Sequence, residues 1–150
     1  MSWVSLQARM LRGIDGLTTR LRGPSGPPHL VAGELGEREA LFHLRGLGYT
    51  VVAQRWRTPK LRGDVDLIAW DGEWLCFIEV KARSSRVVAP AEAAVDEEKQ
   101  RMLRRMARAY LRGLPEAVRR EVAVRFDVVS VYFEPGGNEF EVNKGAFRWA

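Results

Sequence analysis

Hydrophobic and polar residues follow two different periods along this chain, and these periods predict its helices and strands. Apolar residues recur three or four positions apart in two stretches, which predicts two amphipathic helices. The first helix is expected to bury Ala40, Leu41, Leu44 and Leu47. Runs rich in β-branched and aromatic residues predict strands. The expected elements are, in order, a helix over about 31–46, strands over 49–57, 64–70 and 74–83, a helix over about 93–111, a strand over 122–133 and a last strand starting near 140. This α-β-β-β-α-β order with a terminal hairpin strand predicts an α/β fold.

Glycine and proline mark the expected boundaries. Gly46 should end the first helix, and Asp71-Gly72 suits a two-residue hairpin turn between the second and third strands. Residues 23–28 read Gly-Pro-Ser-Gly-Pro-Pro, a stretch that sustains neither a helix nor a central strand. The sequence therefore predicts a flexible or loosely docked N-terminal arm over residues 1–30, with a short helix near 3–11, and one folded domain over 31–150.

Composition narrows the class of protein. A chain of 150 residues has room for one domain with a proper core. No apolar run approaches the roughly 20 residues of a spanning helix, and Arg9 and Arg12 interrupt any signal-like stretch. The expectation is a cytoplasmic protein with no membrane contact. The single cysteine, Cys76, excludes an internal disulfide and a multi-cysteine zinc site, and is expected to be a small core residue. A metal would therefore be held by carboxylates, which favours Mg²⁺ or Mn²⁺.

The chain carries a net charge of +5 with a pI near 9.9, which suits a polyanionic partner such as nucleic acid. A GC-rich genome would produce the same excess of arginine, so charge alone leaves the partner open. The second helix concentrates the basic residues in its later turns: Arg101, Arg104, Arg105, Arg108 and Arg112. Arg104 and Arg108 are predicted to contact nucleic acid, and the alternative is an ordinary solvated helix face.

A set of charged residues lies on two otherwise apolar strands. Because side chains alternate across a strand, Glu79 shares a face with Lys81, and Asp64 shares a face with Asp66. A turn at Asp71-Gly72 would pair Asp66 with Phe77 and would pair Asp64 with Glu79. Asp66 and Glu79 would then be diagonal neighbours, roughly 7–8 Å apart and within reach of one cation. Unpaired buried charge costs several kcal/mol, and a divalent cation would remove that cost. The alternative is a surface ladder of ion pairs.

Glu37 is a further candidate acid. It lies on the same helical stripe as Ala40 and Leu44, so it is expected to face the sheet and to join the metal site. Its place near a helix start is also explained by the helix dipole. His43 is expected to be a solvated or edge residue of the same helix.

These residues, taken together, resemble a known family. The matching segments are Gly33-x-x-Gly36-Glu37-x-x-Ala40, Gly63-Asp64-Val65-Asp66-Leu67-Ile68, Phe77-Ile78-Glu79-Val80-Lys81-Ala82-Arg83, Lys99, Arg125-Phe126-Asp127-Val128-Val129 and the closing segment 143–147. This ensemble resembles the YraN-like family of the PD-(D/E)XK nuclease superfamily, which is similar to archaeal Holliday-junction resolvases. The resemblance covers about residues 33–147. In two places the chain departs from the family pattern: Asp64 replaces a glutamate, and Gln54-Arg55-Trp56-Arg57 replaces a more usual asparagine-x-arginine.

The resemblance implies a restriction-endonuclease-like αβββαβ core with a mixed central sheet flanked by helices. It implies metal ligation by Asp66 and Glu79, with Lys81 near the attacking water and Glu37 as an accessory acid. Lys99 joins the arginines as a candidate nucleic-acid contact. The expected activity is metal-dependent hydrolysis of DNA, with branched or structured DNA as a candidate substrate, and resolvase-like relatives imply a homodimer by analogy. A non-catalytic nucleic-acid-binding or adaptor module and an RNA-processing factor stay open as alternatives.

Overall fold

The computed structural model describes the backbone of residues 28–83 and 95–149, with side chains from residue 33 onward in those ranges. Its elements are, in order, α1 (Pro28–Gly46), β1 (Thr50–Trp56), β2 (Val65–Asp71), β3 (Trp74–Arg83), α2 (Glu97–Arg112), α3 (Glu116–Glu121), β4 (Ala123–Tyr132) and β5 (Glu139–Phe147). The predicted order of helices and strands is confirmed. The predicted N-terminal arm lies outside the described residues up to position 27, and residues 28–30 belong to α1. None of the described helices has the length and apolar character needed to cross a membrane.

The strands form one mixed sheet in the order β1-β2-β3-β4-β5. β3 and β4 run parallel, while the other neighbouring pairs are antiparallel. Two parallel neighbours need a crossover connection, and the segment between them contains α2 and α3. The fold is therefore α/β with a five-stranded mixed sheet flanked by helices.

The hairpin between β2 and β3 corrects the predicted register. Asp71 pairs with Trp74, so the two-residue loop is Gly72-Glu73 and not Asp71-Gly72. Gly72 takes a φ of 60°, which is the conformation that a type II′ turn requires at its first central position. The expected pairing of Asp66 with Phe77 is wrong, because Ile68 is the partner of Phe77.

The error amounts to two residues, and a shift of two keeps every side chain on its own face. The observed pairs run from Asp71 with Trp74 to Leu67 with Ile78. Continued by one residue, this register places Asp66 opposite Glu79, where a diagonal position was expected. The expected pairing of Asp64 with Glu79 is therefore also wrong.

One face of the sheet packs against α1. Leu41 and Leu44 are buried there together with Cys76 and Ile78, which confirms that Cys76 is a small core residue. Leu47 was expected in this stripe, but it is 55% exposed because it lies beyond the last residue of α1. His43 stacks on Phe140 with the ring centroids 4.1 Å apart; it therefore covers the β5 side of the sheet.

The other face packs against α2. Its fully buried residues are Leu103, Met106 and Ala107, which lie against an aromatic group that includes Phe77 and Phe126. The helix starts at Glu97, later than predicted, because the Asp96 side chain accepts a hydrogen bond from the Lys99 backbone and caps the helix. Val95, which was expected within the helix, precedes this cap. The predicted start near 93 lies outside the described residues.

A polar network ties the far end of the sheet together. Arg125 on β4 forms a bidentate pair with buried Asp127, at 2.7 and 2.8 Å, and also donates to Asp71 at the end of β2. Asp127 accepts a hydrogen bond from the Gly145 backbone on β5, and the Tyr49 hydroxyl accepts one from Arg125. Charged groups buried in this way are stable only when paired. These contacts assign the Arg125-Phe126-Asp127 motif a structural role.

Candidate metal centre

Asp66 and Glu79 lie on neighbouring central strands, on the face that α2 covers. Glu79 has the same parity as Phe77, which packs in the core on the α2 side, and the strand register places Asp66 beside Glu79. Both are buried, with exposed fractions of 8% for Asp66 and 4% for Glu79. Asp66 Oδ2 accepts a hydrogen bond of 2.8 Å from the Val80 backbone. The two carboxylates therefore belong to one buried site, on the same face, as the sequence predicted.

Two lysines approach the same oxygen of Glu79. The Nζ atoms of Lys81 and Lys99 each lie 3.5 Å from Glu79 Oε1. Lys81 reaches it from two residues further along β3, as predicted from the alternation of side chains. Lys99 reaches it from the first turn of α2. Its predicted contact with nucleic acid stays a prediction, and the structure places its ammonium group beside the carboxylate of Glu79.

The second oxygen of Glu79 is not compensated. Oε2 is buried and has no hydrogen-bond partner among the described residues. Burial raises the pKa of Glu79, and the negative charge of Asp66 raises it further, to about 7, against the opposing effect of the two lysines. Burial likewise raises the pKa of Asp66, and the charge of Asp64 adds to this. A carboxylate pair of this kind requires a proton or a cation between its members.

The donor set fits a hard divalent cation. Carboxylate oxygens are the ligands that Mg²⁺ and Mn²⁺ prefer, and Mg²⁺ is commonly held by only one or two of them. In the described part of the chain, no three His, Cys, Asp or Glu side chains gather closely enough to hold a metal ion. The site is therefore a two-carboxylate site, formed by Asp66 and Glu79.

Glu37 lies close to this site but has another partner. The side chain of Glu37 is half-buried and accepts a hydrogen bond of 2.6 Å from Arg55 Nε. Burial raises the pKa of Glu37; the Arg55 hydrogen bond opposes this, and the charges of Asp66 and Asp64 add to it. The electrostatic effect of these acids indicates that Glu37 is near them. Its role as an accessory acid stays a prediction.

Asp64 precedes β2 and pairs with Arg57, whose Nη2 atom lies 3.3 Å from Asp64 Oδ2. It is half-buried and influences the site through its charge.

Two buried polar atoms were not predicted from the sequence. Ser130 lies beside Lys81 in the parallel β3–β4 pair, and its buried Oγ has no hydrogen-bond partner among the described residues. The Nε atom of Arg83 is also buried without a partner there. Ser130 has the parity of Phe126 and Val128, so it belongs to the face that carries Glu79. A lone serine within an apolar strand was the signal that could have identified it.

The arginines of α2 lie elsewhere. Arg104 Nε donates to the Arg148 carbonyl at 2.6 Å, and its Nη2 atom donates to Gln100. The Arg108 guanidinium lies over the Trp149 ring, 5.1 Å from its centroid. Both residues therefore hold the C-terminal segment against α2. Their predicted contact with nucleic acid stays a prediction.

Taken together, the fold and the site define an α/β protein whose mixed sheet carries a buried carboxylate pair and two lysines under a helix. Its family is shown by sequence comparison. The chain belongs to the uncharacterised protein family UPF0102, which matches residues 36–131. That range includes both carboxylates, both lysines and Glu37.

Proteins from several bacteria are similar to this chain along most of their length. The UPF0102 protein of Koribacter versatilis is 48% identical over 124 residues, which cover 83% of this chain and 84% of that protein. The UPF0102 protein of Solibacter usitatus is 46% identical over 115 residues, covering 77% and 84%. The UPF0102 protein of Acetivibrio thermocellus is 37% identical over 113 residues, covering 75% and 84%.

Proposed function

We propose that this protein is a metal-dependent nuclease that hydrolyses phosphodiester bonds in DNA, with branched or otherwise structured DNA as the favoured substrate. The observation that carries the proposal is Glu79 Oε2, a buried and unpartnered carboxylate oxygen beside the second buried carboxylate, Asp66. A structural ion pair would leave no such oxygen, because its charge would be matched by fixed partners. A cation site does leave one.

The architecture is consistent with this activity. The order αβββαβ, the mixed sheet and the carboxylates on β2 and β3 agree with the restriction-endonuclease-like core that the motif resemblance implies. In that resemblance the acidic residues and the lysine of the third strand act together at one phosphodiester. The same three residue types meet here at Asp66, Glu79 and Lys81.

Asp66 and Glu79 would hold Mg²⁺ or Mn²⁺ through their oxygens. When bound, the ion supplies a Lewis acid for the phosphate and lowers the pKa of water. The chain's own cations act on the charge that develops during hydrolysis. Lys81 Nζ is fixed beside Glu79 by the strand, so it can orient a water molecule and offset negative charge on the phosphate. Lys99, held by the first turn of α2, can bind a phosphate oxygen from the helix side.

The burial of the site favours this chemistry. Glu79 lies almost wholly out of water, and charge interactions are stronger where water is excluded. The lysines are about one-third exposed, so a phosphate can reach them from solvent. The two carboxylates are buried, whereas the two lysines beside them are partly open to solvent. This arrangement suits a polyanionic substrate.

The test is a cleavage screen of branched, flapped, single-stranded and linear DNA with Mg²⁺ or Mn²⁺. Lys81→Ala should reduce cleavage by about 100-fold or more, since it removes transition-state stabilisation. It should leave DNA affinity nearly unchanged. The matched control is Lys144→Ala, which removes an exposed lysine at the other end of the sheet and should keep full activity.

Two results would count against the proposal. Full cleavage by the Lys81→Ala variant would show that the mechanism is wrong. DNA binding without cleavage of any of these substrates would favour the non-catalytic binding or adaptor module. The same screen with RNA substrates tests the RNA-processing alternative.

A further inference from the structure

Arg55 has an unusual backbone conformation. Its φ is 45°, and it is the one non-glycine residue with a positive φ in the part of the chain that the structure describes. The left-handed region is unfavourable for arginine, and such strain persists only where surrounding contacts maintain it. Arg55 lies near the end of β1, an edge strand of the sheet. Its neighbours Gln54 and Trp56 pair with β2, and its side chain makes contacts outside the strand.

Those contacts are acidic residues of α1. Arg55 Nε lies 2.6 Å from Glu37 Oε2, and Arg55 Nη1 lies 3.6 Å from Glu34 Oε1. The short distance and the direct hydrogen bond mark Glu37 as the main partner. The guanidinium of this strained residue is thus paired with Glu37, the accessory acid next to the carboxylate pair.

Without a cation, Glu37 needs this partner. Asp66 and Asp64 both act on Glu37 electrostatically with the same sign of charge, and like charges that share a partly buried region repel each other. Glu37 does not join the carboxylate pair within the described residues, where no group of three ligands gathers. Arg55 supplies the positive charge with which Glu37 is paired.

We propose that Arg55 is an exchangeable partner of Glu37 that competes with the divalent cation for this carboxylate. The inference rests on the proposed metal site and adds a positioning residue to it. When a cation is held by Asp66 and Glu79, Glu37 exchanges its ion pair with Arg55 for the cation and becomes a third ligand. The released guanidinium is already 42% exposed, so it can then pair with a substrate phosphate. Metal binding and substrate binding are linked through this residue.

The test measures Mn²⁺ affinity by calorimetry, without DNA. Arg55→Asn removes the guanidinium, while asparagine tolerates the left-handed backbone. If the competition exists, Arg55→Asn should bind Mn²⁺ about tenfold more tightly than the natural protein, within the usual range of coupling between sites. Glu37→Gln should weaken binding. The double variant Arg55→Asn/Glu37→Gln should match Glu37→Gln alone, because the increase in affinity depends on Glu37.

The matched control is Arg57→Asn. It removes the same charge two residues along, from a side chain that is 71% exposed and pairs with Asp64. It should change Mn²⁺ affinity by less than about threefold, since exposed charges are well screened. If Arg55→Asn and Arg57→Asn increase Mn²⁺ affinity equally, the increase results from the change in net charge, and the inference is wrong. Thermal unfolding of each variant verifies that it is folded.

The remaining outcomes separate this inference from the proposed function. If the natural protein binds Mn²⁺ and Arg55→Asn binds it equally well, the competition is wrong while the metal site stands. An increase in affinity that persists in the double variant has the same meaning. If neither the natural protein nor Arg55→Asn binds Mn²⁺, both the metal site and the competition are wrong.

Discussion

The two oxygens of the Glu79 carboxylate lie in different environments. Its Oε1 atom faces Lys81 and Lys99 at 3.5 Å, whereas its Oε2 atom is buried without a partner among the described residues. Ion pairs of this length offset only part of the free energy needed to bury a charge. The free energy of unfolding of the metal-free protein should therefore be reduced by the ionised form of Glu79.

The first consequence is that the stability of the protein depends on pH through Glu79, and replacing Glu79 with glutamine should remove this dependence. The pKa of Glu79 lies at about 7 in the folded chain, above its value in the unfolded chain. The folded state therefore binds more protons between pH 4.5, the ordinary pKa of the group, and about 7, so stability falls as the pH rises over that range and levels off above it. Glu79→Gln should stabilise the metal-free protein by about 3 kcal/mol at pH 8 and by less than about 1 kcal/mol at pH 5. Thermal unfolding in the presence of a chelator, at both pH values, measures this.

The natural protein and the variant should respond oppositely to Mn²⁺. A cation that binds only the folded state raises its melting temperature, so Mn²⁺ should stabilise the natural protein and not Glu79→Gln. Equal stability of the two proteins at pH 8 without metal would show that Glu79 is already compensated. Equal stabilisation by Mn²⁺ would show that the ion binds elsewhere.

At the scale of elements, one glycine of α1 allows this helix to pack closely against β3. A Cβ added at Gly36 would lie 2.7 Å from the Cβ of Ala82 on β3, whereas one added at Gly33 would meet nothing within 4 Å. Gly36 is followed by Glu37, so this close approach brings the backbone next to Glu37 against β3. The family segment Gly33-x-x-Gly36-Glu37 thus has a packing reason at its second glycine.

The two glycines form a matched pair of variants. Gly36→Ala should destabilise the protein by about 1–3 kcal/mol, because the backbone of α1 or β3 must shift to remove the clash. Gly33→Ala should be neutral or up to about 1 kcal/mol stabilising, since alanine favours a helix. Denaturant unfolding of both variants measures the difference. A neutral Gly36→Ala would show that α1 can move away from β3 freely.

α2 has two faces with different roles. Its inner face carries Lys99 to Glu79 and buries Leu103 and Met106. Arg101 and Arg105 are exposed on its outer side. Arg104 is half-buried and Arg108 is exposed, and both contact the C-terminal segment. The helix therefore joins the proposed site to a basic surface without placing the arginines in the site.

At the scale of the whole molecule, the chain has a net charge of +5, and the exposed arginines of α2 contribute to it. Arg101→Ala/Arg105→Ala should weaken DNA binding and reduce its salt dependence, by about one unit of slope for each phosphate that the variant no longer binds. Arg104 is a poor choice for this test, because its replacement also removes the hydrogen bond to the Arg148 carbonyl. Affinity measured at several salt concentrations decides the result.

The control removes equal charge from another helix. Arg119→Ala/Arg120→Ala alters two exposed arginines of α3 and should leave the slope nearly unchanged. If both double variants lower the slope equally, the chain attracts DNA through its net charge alone. If neither does, the arginines of α2 form an ordinary solvated face.

The sequence determined the order of elements and the face on which each candidate residue lies. Both follow from local rules: a helix repeats every 3.6 residues and a strand every two. Asp66, Glu79 and Lys81 therefore share a face in the structure although the predicted register was wrong by two residues. The departure at positions 54–57 was also visible in the sequence, but its left-handed residue, Arg55, was not.

The tertiary structure decided the turn, the register and the partners across elements. The Gly72-Glu73 loop sets which residues of β2 and β3 stand opposite one another, and this choice depends on hydrogen bonding between strands. The contact of Lys99 with Glu79 and that of Arg55 with Glu37 join residues 20 and 18 positions apart. Periodicity carries no information about such contacts, because they depend on how distant elements pack. The sequence alone thus identifies the acidic residues of the site, whereas only the packing of the elements shows which lysine and arginine side chains pair with them.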